Sequence, residues 1–172
     1  KSAADFSILK KVFLYLKKIL ADNIQKEYRH FYNSRPDLSK KFIYVPLHLQ
    51  PECNTSPMGG VFVNQILMIK ILSASLPEGW VIYVKEHPAQ WMNFGLNYTD
   101  YRYPGYYRQI ARIKNVQLVP IKADSFSLIK QSRAVATVTG MAGWEAVLRR
   151  KPALVFGRAW YSDCLGVFKV KS

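Results

Sequence analysis

Ala134-Val135-Ala136-Thr137-Val138-Thr139-Gly140-Met141-Ala142-Gly143-Trp144-Glu145-Ala146-Val147-Leu148-Arg149 passes without a break from a short β-rich run into a helical one. The spacing predicts a strand over Ala134 to Val138 and a helix over Ala142 to Arg149, joined through small residues. The same rhythm extends in both directions. Upstream, Phe42 to Leu47 reads as a strand, Val61 to Ser75 as a helix and Trp80 to Val84 as a strand. A helix over Tyr106 to Ile113, a strand over Val116 to Pro120 and a short helix over Ser125 to Gln131 follow, and Ala153 to Phe156 reads as the last strand. Strands alternating with helices imply βαβ units, hence an α/β fold with a Rossmann-like parallel sheet flanked by helices.

Length and composition agree with such a fold. The 172 residues suffice for one domain, and 49% hydrophobic residues exclude intrinsic disorder. With 25 Lys and Arg against 11 Asp and Glu, the net charge of +14 creates a field that attracts anions: nucleotides, nucleic acid or an acidic membrane face. Cys53 and Cys164 are far apart and neither belongs to a CxxC pair, so no disulfide framework, metal site or metal cofactor is expected. No apolar run approaches the ~20 residues of a membrane span, and from its charged, amphipathic start no leader sequence is expected.

Before the first strand, Phe6, Leu9, Phe13, Leu16, Ile19 and Leu20 recur at helical steps, predicting an N-terminal amphipathic helix from Ala3 to about Asn33. Its apolar stripe is expected to dock on the sheet domain. Lys10, Lys11, Lys17 and Lys18 lie mostly off that stripe, as a solvated face or as a peripheral membrane contact. Ser34-Arg35-Pro36-Asp37 ends the helix. Residues 1–36 are therefore read as helix and linker, and 37–172 as the Rossmann-like domain. A chain that begins at Lys1 and stops with Lys-Val-Lys-Ser is expected to be a segment of something longer.

Ligands of such sheets bind beyond the carboxyl ends of the strands. Thr139-Gly140 to Glu145 stands at one of those ends. Small residues there admit a ligand to the backbone, the N–H groups opening the helix suit a phosphate or carboxylate, and Glu145, in the first turn, reaches ribose hydroxyls. A tight turn with a carboxylate favouring the helix dipole is the structural alternative. Lys85-Glu86-His87-Pro88 ends another strand, where His87 suits a phosphoryl oxygen. Gln50-Pro51-Glu52 opens a polar loop that suits sugar hydroxyls, or a helix start capped by Asn54, Thr55 or Ser56. Trp160-Tyr161 suits stacking on a base or sugar. His30 is expected to face solvent, and His48 has no identifiable partner. Neither GxGxxG nor GxxxxGK[ST] occurs.

Together Val45-Pro46-Leu47, Gln50-Pro51-Glu52, Tyr83-Val84-Lys85-Glu86-His87-Pro88, Thr139 to Ala146 and Gly157-Arg158-Ala159-Trp160-Tyr161 resemble the capsule polysaccharide biosynthesis family of glycosyltransferases. Its best-described members transfer Kdo from CMP-Kdo. The resemblance covers roughly Phe42 to Val170, and the Gln-Pro and His-Pro pairs are the family's signatures. It implies one half of a GT-B enzyme, the half that holds the nucleotide sugar. His87 is then catalytic at the CMP phosphate and Pro88 shapes its loop. Lys85, Thr139, Gly140, Ala142 and Gly143 hold the donor, Glu145 holds the ribose, and Gln50 with Glu52, the second catalytic candidate, faces the reacting sugar. Met141 stands where a small hydroxyl residue is expected.

The implied partners are a CMP-sugar donor, a glycolipid or polysaccharide acceptor and a missing N-terminal half, in the cytoplasm and peripheral to the inner membrane. The chain alone is expected to be inactive. The other reading is a non-catalytic basic module for nucleotides or nucleic acid. Its nucleic-acid form calls for bases interleaved with aromatics along one element, whereas this sequence scatters its bases.

Overall fold

The computed structural model describes residues 8–9, 12–13, 15–16, 24–33, 35–50, 52, 55–91 and 101–170. Six parallel strands form one sheet: β1 (Phe42–Pro46), β2 (Val81–Lys85), β3 (Val116–Leu118), β4 (Ala134–Thr137), β5 (Ala153–Val155) and β6 (Val167–Lys169), in the order β3-β2-β1-β4-β5-β6. Helix α1 spans 24–31, followed by α2 (Gln65–Ser75), α3 (Tyr106–Ala111), α4 (Ser125–Gln131) and α5 (Met141–Leu148). The alternation of strand and helix expected from the sequence is therefore present, as a doubly wound Rossmann-like sheet. A sixth strand is added that the sequence reading did not contain: β6 has three residues, none buried, so no apolar run marks it.

β1 and β2 are apolar along their length because both faces of a parallel sheet are covered. Side chains alternate across the pleat. Ile43, Val45, Ile82 and Val84 enter one core with α2, α3 and Ile24 and Tyr28 of α1. Phe42, Tyr44, Val81 and Tyr83 enter the other, with Leu128 and Ile129 of α4 and Ala146 of α5. Each fully buried apolar side chain of this kind contributes about 1.5–3 kcal/mol.

The helix starts are capped by local chemistry. Asn64 caps α2 through its side chain, accepting from the Ile66 N–H at 3.2 Å, and so displaces the expected caps at Thr55 and Ser56. A short 3-10 turn, Gly60–Val63, occupies the first residues expected to be α-helical. Asp124 caps α4. Glu27 of α1 accepts from the Gly105 and Arg108 N–H groups at 2.7 and 2.9 Å, fastening α1 to the start of α3.

Much of the expected N-terminal helix, including Phe6, Ile19 and Leu20, lies outside the described residues, as does Asn54. Leu9 and Leu16, expected to dock on the sheet, are exposed; Ile24 and Tyr28 make the docking contacts instead. Tyr32 then bridges to Leu118, and the Asn33 N–H donates to the Leu118 carbonyl at 2.8 Å, along the outer side of β3. No helix among the described residues is long and apolar enough to cross a membrane.

Candidate functional site

The strand order reverses direction between β1 and β4, and a parallel sheet of this order leaves its crevice there, beyond the strand ends. A cleft of about 500 Å³ lies at that place, walled by the segments after β1, β2, β4 and β5. It receives Glu52, Lys85, His87, Thr139, Gly140, Ala142 and Glu145 of the residues singled out from sequence, together with Arg158 and Trp160. Pro88 lines it as well. Gln50 and Gly143 do not line it.

Lys85 ends β2 rather than starting the loop, and only 5% of it is exposed. Its Nζ donates to the Ala123 carbonyl at 2.6 Å and to Ser125 Oγ at 2.7 Å, and no described carboxylate stands within ion-pair distance. Burial lowers its pKa below the usual lysine value, opposed by the charge of Asp124. A buried cation at the cleft wall with no described carboxylate of its own favours an anion beside it.

His87 has its Nδ1 committed, accepting from the Ala89 N–H at 3.2 Å. That bond assigns the proton to Nε2 and leaves the far edge of the ring as a donor. Burial holds the His87 pKa below the usual histidine value, the nearby Glu86 and Glu52 charges opposing it. The ring is thus kept in the neutral, Nε2-protonated form.

Helix α5 starts at this cleft. Gly140 is its N-cap with an ordinary extended backbone, and its N–H donates to Thr137 Oγ1 at 3.1 Å. The protein's own side chains leave no room for a Cβ at either glycine. A Cβ on Gly140 would stand 2.8 Å from His48 Cε1, and one on Gly143 would stand 2.3 Å from Tyr161 Oη. The Met141 and Ala142 N–H groups remain without an intrahelical partner, as helix geometry demands, and both residues line the cleft. Thr139 Oγ1 beside them is buried with no hydrogen-bond partner. Glu145 is the fifth residue of α5, one residue deeper than the first-turn position expected, because the helix begins at Met141 rather than Ala142. It still lines the cleft.

Gln50, expected to face a sugar, is 4% exposed and turned into the protein. Its Oε1 accepts from Arg102 Nη1 at 2.8 Å and from Gln65 Nε2 at 2.9 Å, and its Nε2 donates to the Val63 carbonyl at 3.3 Å. Arg102 is the residue sequence reading missed. It is 1% exposed and donates through Nε to Glu86 Oε2 at 2.6 Å and through Nη2 to Glu86 Oε1 at 3.2 Å and the His48 carbonyl at 2.9 Å. Tyr107 donates to the same Glu86 carboxylate, as does the His87 N–H at 2.6 Å. One guanidinium therefore ties the segments after β1 and β2 together beneath the cleft. Its pKa is held above the usual arginine value by Glu86 against the cost of burial.

His48, without a partner in the sequence reading, is the second miss. Its Nε2 accepts from the Val138 N–H at 3.1 Å and meets Thr137 Oγ1 at 2.9 Å, and its Nδ1 lies 3.3 Å from Glu52 Oε1. The pattern places the proton on Nδ1, donated to Glu52. Thr55 also donates to Glu52 Oε1, at 2.8 Å. Oε2 accepts nothing from the described residues and is left for the cleft. The His48 hydrogen bond, followed by that of Thr55, holds the Glu52 pKa below the usual glutamate value despite partial burial.

His48→Gln is expected to keep an acceptor for Val138 while deleting the donor to Glu52, so that the Glu52 pKa rises. A ¹³C NMR titration of the Glu52 carboxyl reads this directly. Glu52's lowered pKa contributes stability that is complete above its unfolded value and lost as pH falls through the folded one. The variant should therefore lose part of that acid-side slope, and an unchanged Glu52 titration would refute the coupling.

Trp160 and Tyr161, paired in the sequence reading, separate in role. Tyr161 is buried, donates to the Gly140 carbonyl and packs on Gly143. Trp160 is 69% exposed at the cleft mouth, its ring 5.0 Å from that of Trp144. His30 is exposed, as expected. Cys164 is free, and no metal-holding cluster occurs among the described residues.

Fold and cleft together define a doubly wound α/β protein with a crevice at its topological switch point, lined by Lys85, His87 and the start of α5. The sequence profile described as capsule polysaccharide biosynthesis protein matches residues 7–167, and the chain belongs to that family. The fold is similar to that of two Thermosulfurimonas dismutans structures. KpsC, beta Kdo 2,7 transferase, is 20% identical with a TM-score of 0.58, over 95% of this chain and 51% of that one. KpsC, beta Kdo 2,4 transferase, is 15% identical with a TM-score of 0.57, over 88% and 49%. The UDP-GlcNAc 2-epimerase from Methanocaldococcus jannaschii is similar at 13% identity and a TM-score of 0.53, over 87% and 38%. This chain thus spans about half the length of the two KpsC structures. No curated protein matches it.

Proposed function

We propose that this chain is the donor-binding half of a glycosyltransferase of GT-B type, which uses CMP-Kdo to extend a glycolipid or polysaccharide acceptor. One observation carries the reading. A single cleft at the switch point gathers a buried ammonium, a neutral imidazole presenting Nε2–H, the first N–H groups of a helix and two carboxylates. Phosphate and sugar need these two kinds of group side by side.

In this reading the donor phosphate lies between Lys85, His87 and the Met141 and Ala142 N–H groups. As the bond to the sugar breaks, negative charge grows on the phosphate oxygen, and His87 Nε2–H stabilises it. Glu145 accepts from the ribose hydroxyls. Thr139 Oγ1, buried without a partner, gains one from the donor. Glu52, held ionised by His48, is a poor general acid; its carboxylate acts as a base or stabilises positive charge at the reacting carbon. The acceptor comes from a second half, whose closure excludes water and orients the attacking hydroxyl. The chain alone then binds donor without turning it over. It works at the cytoplasmic face of the inner membrane, where a lipid-linked acceptor is reached.

Calorimetric titration of CMP, UMP, UDP and GDP tests this. CMP is expected to bind best, weakly, with heats that disappear in Lys85→Met. A preference for UDP would transfer the donor class to UDP-sugars, and no nucleotide binding at millimolar concentration would overturn the reading.

A further inference from the structure

Helices α4 and α5 lie side by side over the sheet, and between them runs a second groove of about 450 Å³, lined by Phe126, Ser127, Lys130, Leu148, Arg149 and Arg150 beside the Asp124 cap. It lies beside the cleft. Ser125 and Glu145 line the cleft; Phe126, the next residue, and Arg149, one helical turn on, line the groove. Phe126 and Leu148 are 53% and 62% exposed. The Arg149 guanidinium lies 4.5 Å from the centre of the Phe126 ring and spends one N–H on the Glu145 carbonyl at 2.9 Å, leaving the rest of its fork to solvent.

The charge here is uncompensated. Lys130, Arg149 and Arg150 have no carboxylate within ion-pair distance among the described residues. Neither do Arg133 and Lys151, which precede the paired strands β4 and β5. Asp124 is occupied, accepting from the Phe126 N–H, the Ser127 N–H and Ser127 Oγ at 3.3, 2.9 and 2.7 Å.

We propose that this groove binds an acidic saccharide chain that runs out of the cleft, an inference that rests on the cleft being a sugar-transfer site. Arg149 and Arg150 present forks to sugar carboxylates and Lys130 adds a point charge. Phe126 and Leu148 offer apolar surface to the C–H faces of the rings. A concave groove beside the cleft suits an extended chain better than a flat lipid surface.

The test is NMR titration of the chain with hexagalacturonate, neutral maltohexaose and CMP in separate arms. Hexagalacturonate is expected to shift the amides of residues 126–130 and 148–150, and maltohexaose to leave them in place. Lys130→Glu/Arg149→Glu should weaken hexagalacturonate about tenfold or more while CMP binds as before. Phe126→Ser keeps every charge and should still weaken it severalfold. Undiminished binding by either variant, shifts mapping elsewhere, or no binding at millimolar concentration would overturn the proposal. So would binding of phosphatidylglycerol vesicles through these residues without binding of the saccharide. Failure of the CMP arm alone overturns the assignment of CMP as the donor nucleotide of the cleft and leaves the groove as a saccharide site.

Discussion

Arg102→Ala is expected to cost the domain about 3–5 kcal/mol, because it leaves the Glu86 carboxylate buried and without its cation. For a chain of this size that lowers Tm by roughly 6–20 °C. The loss reaches beyond one ion pair. The same guanidinium holds Gln50 Oε1 and the His48 carbonyl, so the segments after β1 and β2 lose their common tie. Arg102→Lys keeps the charge but not the fork, and should recover only part of the stability. Glu86→Gln added to Arg102→Ala removes the stranded charge and should restore more than it costs alone. Calorimetry of wild type, Arg102→Ala, Glu86→Gln and the double variant gives the coupling directly, and an unchanged Tm in Arg102→Ala would show that the pair contributes nothing net.

His87→Ala, in the complete two-halved enzyme proposed above, should lower turnover by about 10²–10³, the usual consequence of removing one preorganised donor from a developing negative charge. Donor affinity should change much less, since the interaction strengthens as the bond breaks. His87→Gln restores a donor and part of the rate. The pH dependence has a definite sign. Burial lowers the His87 pKa, so the unfolded chain binds a proton in a range where the folded one does not. Its contribution to stability is complete above the ordinary histidine value of ~6.5 and is lost as pH falls through the folded pKa. Protonation also ends the acceptance of the Ala89 N–H at Nδ1. Wild-type turnover by His87→Ala would remove the residue from the mechanism.

The parallel sheet was legible because its signal is local. Continuous apolar runs such as Phe42–Val45 and Val81–Val84, separated by helical spacing, allow few other folds. The strand-end rule then led to Lys85, His87, Thr139 and Glu145 at the cleft wall. Illegible were contacts made across the chain. His48 meets Thr137 from 89 residues away, and Arg102 meets Gln50 from 52. Nothing in the spacing of a lone histidine or arginine announces such partners. Gln50 misled for the same reason: a glutamine in a polar loop reads as solvent-facing, and only the arginine and Gln65 closing on it turn it inward. Gly140 and Gly143 were legible as places of close approach, but the side chain approaching belongs to the protein itself.

The manner in which the chain enters the domain also governs how copies of it meet. An outermost strand is a template on which another chain can crystallise a row of hydrogen bonds. Tyr32 and Asn33 occupy that row on β3 before any neighbour can, by way of the Leu118 carbonyl and bridge. At the opposite margin β6 offers only three residues, the last a lysine. One margin is covered at Leu118 by the protein's own Tyr32 and Asn33, and the other is three residues long and ends on a lysine, two features that disfavour edge-to-edge pairing between copies.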